Sequence, residues 1–472
     1  MPVTTGSAAA AKLLVARYRS IRQATSQICS PLSPEDLMVQ SCPEASPVKW
    51  HLAHTSWFFE TFVLREFVAA YKPFHPDFHW LFNSYYNSLG DMPEKKLRAS
   101  FSRPPLDAIL AYRAHVDAAM ISLLQHPLED EAARRITLGL EHEQQHQELI
   151  ATDIKHALFT NPLHPAYLES TTQRKNEAIA PPIDWVDFNP GLVEIGITSD
   201  PTATTAFVFD NETPRHAVYI EPFRLATRPV TCAEYLAFID QNGYNRPELW
   251  LSEGWATMRA EAWYAPLYWQ HDNTTKSGWC LYTLHGFLPL EDLSETPVCH
   301  LSFFEADAYA RWAGHRLPTE FEWEHAATQS LSNNSVVILT LSERSESKGK
   351  SPRISTEAPQ TSPVRQPISG NFLEAGNLHP TPATSREGLQ QLFGDVWEWT
   401  ASPYTGYPGY KPLPGALGEY NGKFMSSQVV LRGGSCVTPA THIRATYRNF
   451  FAPATRWQFS GLRLAQDVAS NP

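Results

Sequence analysis

The sequence predicts a two-domain protein in which an all-helical bundle precedes an irregular α+β domain. Three observations predict this order. The chain has 472 residues, of which 43% are hydrophobic, too many for one ordinary domain and enough for two cores. The N-terminal third has few glycines and shows helical periodicity, whereas the sequence after Ile183 changes to short apolar runs broken by Gly, Pro and Asn.

The predicted helical bundle covers residues 8–168, in which apolar residues recur with a period close to that of an α-helix, as in helices joined in an up-and-down order. Residues 169–182 are polar and contain prolines, which is typical of a linker. The second domain is predicted over 183–468. Within it, residues 329–370 are rich in Ser, Pro, Lys and Glu and lack aromatic residues, so we expect a disordered insertion there.

Composition and charge disfavour several classes of partner. The chain has 38 basic and 49 acidic residues, a net charge of −11, and no basic cluster accompanies its aromatic residues, which argues against nucleic acid or an anionic membrane. No apolar run reaches the roughly 18 residues of a membrane span, and Lys12 and Arg17 interrupt the N-terminal apolar stretch. The six cysteines are scattered without C-x-x-C spacing, which predicts free thiols. We therefore expect a cytoplasmic protein with small-molecule substrates, and the sequence does not indicate its oligomeric state.

The segment LEHEQQHQEL contains His142, Glu143 and His146 in H-E-x-x-H spacing. Two histidines four residues apart project from one stripe of a helix, and Leu138 and Ile150 continue that stripe. Because an apolar stripe faces the core of a bundle, we expect both rings to point inward, where a metal ion can be held between helices. Two buried, hydrogen-bonded histidines without a metal are the alternative.

The rest of the sequence does not favour a zinc protease. The commonest extended form of that motif places Gly and His where this chain has Leu149 and Thr152. Upstream, SPVKWHLAHTSWFFETFVL has the three-four spacing of one buried helix face, and His54 lies on that face among aromatic residues. We predict His54 as the third metal ligand. His51, one turn earlier on a neighbouring face, is the competing candidate.

Sequence motifs in both halves of the chain resemble those of a known family. WHLAHTSWFFE and HEQQHQE are similar to the DinB-like bundle that opens the sulfoxide synthases of ergothioneine biosynthesis, the EgtB family. HRLPTEFEWEHAA, GDVWEWTASPY, VLRGGS and SGLRLA resemble the formylglycine-generating-enzyme-like, or sulfatase-modifying-factor, domain, a variant of the C-type lectin fold. The resemblance covers nearly the whole chain except the linker and the insertion. It implies a DinB-like four-helix bundle followed by a formylglycine-generating-enzyme/C-type-lectin-like domain.

The resemblance implies a mononuclear non-haem iron(II) oxidoreductase that uses O₂ to join a thiol to C2 of the hercynine imidazole and to oxygenate the sulfur. Three histidines on an octahedral iron leave three positions, enough for a thiolate, the imidazole and O₂, whereas a tetrahedral zinc would leave one. The family assignment gives iron to His54, His142 and His146, and makes Gln145 a hydrogen-bond partner of the hercynine imidazole. Glu143 then has no protease role, and we expect it to be a solvated carboxylate on the helix face.

The resemblance also implies substrate contacts from the second domain. Asn449 and Phe450 match an Asn-Trp pair near the betaine, and Phe451 replaces the acidic residue of the mycobacterial branch. The faces of Phe450 and Phe451 can attract a quaternary ammonium, by about 0.5–2 kcal/mol each, and core packing is the alternative. Arg448 and Arg456 are candidate carboxylate partners, with structural ion pairs as the alternative.

Tyrosines are the candidate proton donors. Tyr85 and Tyr86 in FNSYYNSLG resemble the tyrosine pair of the bacterial branch that takes free cysteine. Tyr404 and Tyr407 have the spacing found in the mycobacterial branch, which takes gamma-glutamylcysteine. We favour Tyr85 and Tyr86, and cysteine as the thiol, because the paired arginines that hold the gamma-glutamyl group are absent around this motif.

Three other functions remain as alternatives. A selenoneine synthase, which takes selenium from a selenosugar, has the same domain order. A formylglycine-generating enzyme is disfavoured because Cys436 alone stands near the final motif, where that activity needs a copper-binding cysteine pair. A non-catalytic ligand-binding module with buried histidines is the alternative outside the enzymes, and it predicts a protein without metal.

Overall fold

The computed structural model describes residues 5–169, 178–198, 207–332, 368–385 and 387–468, with side chains from residue 12 onward. The described part of the helical half contains α1 (Thr5–Cys29), α2 (Val48–Phe59), α3 (Arg65–Phe67), α4 (Phe78–Leu81), α5 (Leu106–Leu123) and α6 (Asp130–Thr160). A π-helical turn, Glu60–Leu64, joins α2 to α3. The four long helices α1, α2, α5 and α6 surround one core, and every residue of α2 is buried.

The directions of these helices differ from the up-and-down order expected from the sequence. Tyr18 of α1 contacts Phe59 of α2 and Asp117 of α5. One turn later in α1, Arg22 contacts Ser56 of α2 and Arg113 of α5, which come earlier in their own helices. Both α2 and α5 therefore run antiparallel to α1 and in the same direction as each other. The predicted up-and-down order is wrong, because residues 65–105 form a long crossover along the bundle instead of a short turn.

The second domain mixes short helices with small sheets. Its described helices are α7 (Cys232–Asp240), α8 (Ser252–Ala260), α9 (Leu290–Leu293), α10 (Phe303–Trp312) and α11 (320–332). Its described strands are β1 (Trp185–Phe188), β2 (Gly191–Ile195), β3 (His216–Ile220), β4 (Phe223–Ala226), β5 (Trp269–His271), β6 (Trp279–Thr283), β7 (Gly286–Pro289), β8 (Trp397–Pro403), β9 (Val429–Arg432), β10 (Asn449–Phe451), β11 (Ser460–Gly461) and β12 (Ala465–Asp467).

These strands form sheets with the orders β1-β4-β12, β10-β9-β8-β11, β2-β3 and β5-β6-β7. The pairs are antiparallel except that of β8 with β11. The antiparallel pairing of β8 with β9 shifts register between Trp399 and Pro403, where the chain leaves the sheet. Residues 404–428 and 433–448, which follow β8 and β9, supply several of the side chains that contact α6, among them Tyr420, Thr441 and Tyr447.

Two predicted segments fall largely outside the described residues, namely 170–177 of the linker and 333–367 of the insertion. Residues 329–332 are helical and belong to α11, and Ile368 packs against the main core. All six cysteines are free, as predicted. In the described part of the chain, no helix is long and apolar enough to cross a membrane.

Glu143 is completely buried, so the expectation of a solvated carboxylate is wrong. Its oxygens accept hydrogen bonds from Arg22 (2.9 Å), Thr25 (2.7 Å) and Arg113 (2.5 Å). Burial alone would raise the pKa of Glu143, but the two guanidinium groups outweigh it and lower this pKa to about 2. The side chain faces inward because α1 and α5 both cover this side of α6, and the resulting ion cluster ties the three helices together.

We expect Glu143→Gln to lower the free energy of unfolding by about 3 kcal/mol, because it leaves two buried guanidinium groups without their carboxylate. Glu131→Gln, on the same helix, is the control, since it removes exposed pairs with Arg134 and Arg135 and should cost less than about 1 kcal/mol. The folded pKa of Glu143 lies below its ordinary value of 4.5, so its stabilisation is present above about pH 4.5 and is lost as the pH falls toward 2. Urea unfolding at pH 7 and pH 3 measures both effects, and equal losses in the two variants at pH 7 would contradict the assignment.

Candidate metal centre

Three buried histidines from α2 and α6 form a cluster that can hold a metal ion. One ligand atom from each of His54, His142 and His146 lies within 4.8 Å of the other two, and the Nε2 atoms of His142 and His146 are 3.0 Å apart. Burial lowers the pKa of all three imidazoles, that of His142 to about 3, so each ring is neutral at physiological pH and has a free lone pair. The structure thus brings together the three histidines that the sequence singled out.

The surroundings of His54 fix its ring and leave one nitrogen without a partner. Its Nδ1–H donates to the carbonyl of Phe82 at 2.7 Å. The ring is stacked between Trp50, at a centroid distance of 4.5 Å, and Trp57, at 5.3 Å, so the three-four spacing of α2 places an aromatic ring on each side of this imidazole. Nε2 is buried and has no hydrogen-bond partner among the described residues. A buried, unpaired nitrogen costs about 1–3 kcal/mol, and a bound cation would remove that cost.

His51, the competing candidate, lies behind the cluster and contacts His146. Its Nε2–H donates to Asp153 at 3.2 Å, so its Nδ1 accepts the proton of His146 Nδ1 at 2.7 Å. Asp153 is held in turn by the backbone N–H of Ser46 at 2.8 Å. This chain fixes the tautomer of His146 and turns its Nε2 toward His142. His51 is therefore placed to orient a ligand rather than to be one.

A second face of α6 docks on the second domain through polar side chains. Glu148 is buried there, and its carboxylate accepts hydrogen bonds from Trp397 (2.6 Å), Ser435 (3.0 Å) and Thr438 (2.7 Å). One turn earlier, Gln144 donates to Thr441 at 2.7 Å. Since residues three and four apart share a helix face, the motif HEQQHQE presents its histidines to α2 and other polar residues to the second domain.

Gln145 lies at this interface, directly before His146, and is held by two tyrosines of the second domain. Its amide nitrogen donates to the hydroxyl of Tyr447 at 2.7 Å, and its amide oxygen accepts from the hydroxyl of Tyr420. The ring of Tyr420 lies edge-on to that of His142, at a centroid distance of 5.6 Å. Burial raises the pKa of both tyrosines, so their hydroxyls are protonated at neutral pH. Sequence reasoning missed both tyrosines, because each lies in an irregular loop without a local signal.

Tyr85 and Tyr86 lie beside one another between the triad and the second domain, with ring centroids 4.7 Å apart. Tyr85 faces outward and contacts Tyr420 at 6.4 Å and Phe424 at 5.3 Å between centroids. Tyr86 is fully buried and packs at 5.5 Å against Trp57, the ring that stacks on the first histidine. Burial raises the pKa of both hydroxyls. One aromatic ring, Trp57 or Tyr420, therefore separates each tyrosine of the predicted pair from a histidine of the triad.

Phe450 stacks on Tyr404 at a centroid distance of 4.0 Å and lies 5.8 Å from Phe424. Phe451 is half-buried and packs against the main core, and the side chain of Asn449 accepts a hydrogen bond from the backbone N–H of Phe450. Successive ring contacts thus connect the triad to the second domain. The rings of this aromatic wall are, in order, Tyr420, Tyr85, Phe424, Phe450 and Tyr404.

The structure does not bring the two predicted arginines to the triad. Arg448 makes a two-pronged ion pair with Glu320, at 2.8 and 2.9 Å, and stacks over Tyr407 at 4.1 Å. Arg456 pairs with Glu305 at 2.9 Å. All five side chains are buried, so the contacts of these arginines match the structural alternative and not a free carboxylate site.

Comparisons with known proteins agree with both halves of the fold. Residues 17–157 match the DinB superfamily, and residues 172–468 match the sulfatase-modifying factor enzyme 1-like domain. The hercynine oxygenase of Mycolicibacterium smegmatis is 32% identical over 467 residues, which cover 97% of this chain and 98% of that protein. The hercynine oxygenase of Mycobacterium tuberculosis is 31% identical over 92% of this chain and 94% of its own length. The structure of PvdO from Pseudomonas aeruginosa covers 63% of this chain and 100% of its own, with 18% identity and a TM-score of 0.35, a similarity too low to support an argument.

The predicted fold class and the predicted resemblance are confirmed by these matches. Both domains occur in the predicted order, and the similarity to two curated relatives extends over nearly the whole of each chain. This chain therefore belongs to the EgtB-type hercynine oxygenase family, in which a DinB superfamily bundle precedes a sulfatase-modifying-factor-like domain.

Proposed function

We propose that this protein is an iron(II)- and O₂-dependent sulfoxide synthase of ergothioneine biosynthesis, which joins cysteine to C2 of the hercynine imidazole. In the balanced reaction a C–S bond replaces the C2–H and S–H bonds, one oxygen atom of O₂ becomes the sulfoxide oxygen, and the other leaves as water. The observation that carries the proposal is the set of three neutral, buried imidazoles around an unpaired His54 Nε2. Relatives named hercynine oxygenase support hercynine as the substrate.

The donor set fits iron(II). His54, His142 and His146 would hold it through nitrogen, because imidazole suits iron and three ligands on one face leave three positions for substrates. Iron bound there supplies the one-electron chemistry with O₂ that side chains alone cannot perform. The contact of His51 with His146 keeps one ligand ring in the required tautomer.

Hercynine has two features that this chain can recognise. Its imidazole N–H can donate to the amide oxygen of Gln145, which has two lone pairs and receives one hydrogen bond from Tyr420. Its trimethylammonium group has no N–H to donate, so aromatic faces are its natural partners. Phe450 and Phe424 of the aromatic wall provide such faces, whereas Phe451 packs against the core.

The tyrosine pair is assigned the role of proton donor in the reduction of O₂. Tyr85 and Tyr86 keep their protons at neutral pH because burial raises both pKa values, and a positioned acid of this kind typically contributes about 10²–10⁴-fold to a rate. Tyr420 touches His142 and holds Gln145, which suits the orientation of the imidazole. The carboxylate of cysteine is not assigned to Arg448, because Glu320 already occupies that guanidinium.

Alanine variants test which histidines bind the iron. His54→Ala, His142→Ala and His146→Ala should each abolish iron binding, because each removes one of the three imidazoles. His51→Ala is the matched control and should weaken iron affinity by about 10–100-fold, as expected for a residue that orients a ligand. Iron content after anaerobic loading with Fe(II) measures the difference. If His54→Ala retained full iron while His51→Ala lost it, the ligand assignment would be wrong.

The second prediction concerns the proton donors. Tyr85→Phe or Tyr86→Phe should divert product from sulfoxide toward oxidised thiol by about ten-fold or more without loss of iron. Tyr404→Phe is the control, since its hydroxyl bonds Asn211 in the second domain and its loss should leave the product ratio nearly unchanged. Chromatography of both products gives the ratio. An unchanged ratio in both bundle variants, with a changed ratio in Tyr420→Phe, would transfer the role to Tyr420.

The third prediction concerns the thiol and tests the proposed function as a whole. Iron-loaded protein is incubated aerobically with hercynine and either cysteine, gamma-glutamylcysteine or a selenosugar, and the product is identified by mass. Cysteine should have the higher kcat/KM by about ten-fold or more over gamma-glutamylcysteine, because a missing charge-assisted contact to the extra carboxylate is worth about 1.5–3 kcal/mol. A higher kcat/KM for gamma-glutamylcysteine would overturn the donor assignment. Efficient turnover only with the selenosugar would make the protein a selenoneine synthase.

A further inference from the structure

A second group of buried polar side chains lies where the C-terminal part of α6 meets the second domain. The Nζ of Lys155 is 2.7 Å from Nε2 of His300, and Tyr268 and His379 complete the group. These four residues, the Lys155 cluster, line a cavity of about 10 Å³. The proposed reaction uses none of them.

Lys155 has no negative partner in the part of the chain that the structure describes. The residue is 1% exposed, its one hydrogen bond goes to a histidine, and its ammonium lies over the rings of Tyr268 and Phe459 at 4.6 and 4.7 Å. Burial raises the pKa of the neighbouring thiols Cys299 and Cys436, so both stay neutral and supply no charge. A buried ammonium without a counter-charge is strongly unfavourable.

The other members of the cluster offer further hydrogen-bond donors. His300 accepts from Lys155 through Nε2, so its Nδ1 carries the proton, and the backbone of Trp457 and Gln458 lies close to that ring. The hydroxyl of Tyr268 and both ring nitrogens of His379 are buried and find no hydrogen-bond partner in the part of the chain that the structure describes. Burial lowers the pKa of His379 to about 3, so its ring is neutral and offers one N–H. Unpaired groups that share one cavity indicate a bound molecule or ion.

We propose that the Lys155 cluster binds one monatomic anion of the chloride or bromide class, which bridges α6 to the second domain. A cavity of this size has room for one water molecule or one such ion, and it is too small for a phosphate or an organic acid. Water would satisfy some donors but would leave the ammonium uncompensated, whereas a halide accepts from all of them and balances the charge. Lys155 belongs to α6 and the other three residues belong to the second domain, so the anion strengthens the interface that also holds Gln145.

The location of the anion is tested by diffraction from crystals of the full chain soaked in sodium bromide. We expect a bromine anomalous peak beside Lys155 Nζ and Tyr268 Oη, and no peak there in Lys155→Met crystals. An empty cavity in the parent protein at high bromide concentration would overturn the proposal. This inference does not rest on the proposed function, since iron content and turnover are measured separately and their failure would leave the bromide result unchanged.

The effect on stability is tested by exchanging gluconate for chloride at constant ionic strength and pH 7. Chloride should raise the Tm of the parent protein by about 2–4 °C, and Lys155→Met should remove this difference. Lys49→Met is the matched control: this buried ammonium donates to the carbonyls of Phe101 and Pro104, so its replacement should leave the chloride effect intact. A chloride effect of the same size in Lys155→Met would contradict the site. If that variant does not fold, Tyr268→Phe, which removes only one unpaired hydroxyl, should reduce the chloride effect, and an undiminished effect would count equally against the proposal.

Discussion

The burial of α6 on every side is the constraint on which the rest of the structure depends. This helix has 31 residues, and almost all of its central polar residues are removed from water. A buried polar group without a hydrogen-bond partner costs about 1–3 kcal/mol of stability, so each of these side chains needs a partner on a neighbouring element. The histidines face α2, Glu143 and Gln147 bond to α1, and Glu141 and Glu148 bond to the second domain. One short motif therefore fixes the positions of three neighbouring elements.

The same constraint explains why the candidate site needs both domains. The bundle alone supplies the three histidines and the His51 contact that orients one of them. The second domain adds Tyr420 and Tyr447, which hold Gln145 beside the triad. Nearby, Glu141 accepts a hydrogen bond from His442 at 2.6 Å and is further stabilised by positive charge. Burial alone would raise the pKa of Glu141. The nearby His442, Arg444 and Arg17 outweigh burial and lower this pKa to about 2, so a charged network holds the domains together at this point.

The buried polar side chains of α6 at the domain interface differ in how well their hydrogen-bond partners match them. Around Glu148 the acceptors and donors balance, because one carboxylate receives three hydrogen bonds. Two turns later, the described residues around Lys155 are neutral rings, one of which accepts its hydrogen bond, and further donors. A carboxylate surrounded by hydroxyl and indole donors needs nothing more, whereas an ammonium surrounded by donors needs an external acceptor. Glu148 and Lys155 therefore differ in whether their neighbours match their charge, although both side chains are buried.

The fold class and the clustering of the three histidines could be predicted from the sequence alone, because helix periodicity fixes which side chains share a stripe and family motifs extend along the chain. The role of Tyr85 and Tyr86 stays a prediction. The sequence could not determine what covers the other faces of a helix. Glu143 looked solvated because amphipathicity reports one apolar stripe and not whether neighbours enclose the polar one. His51 and His54 were both candidate ligands, and only the folded structure shows that His51 bonds to Asp153 whereas His54 joins the cluster with His142 and His146. Tyr420 lies 275 residues from Gln145, so this contact exists only after the two domains have packed together. The ion pairs of Arg448 and Arg456 join residues 128 and 151 positions apart within the second domain, so they form only when that domain has folded.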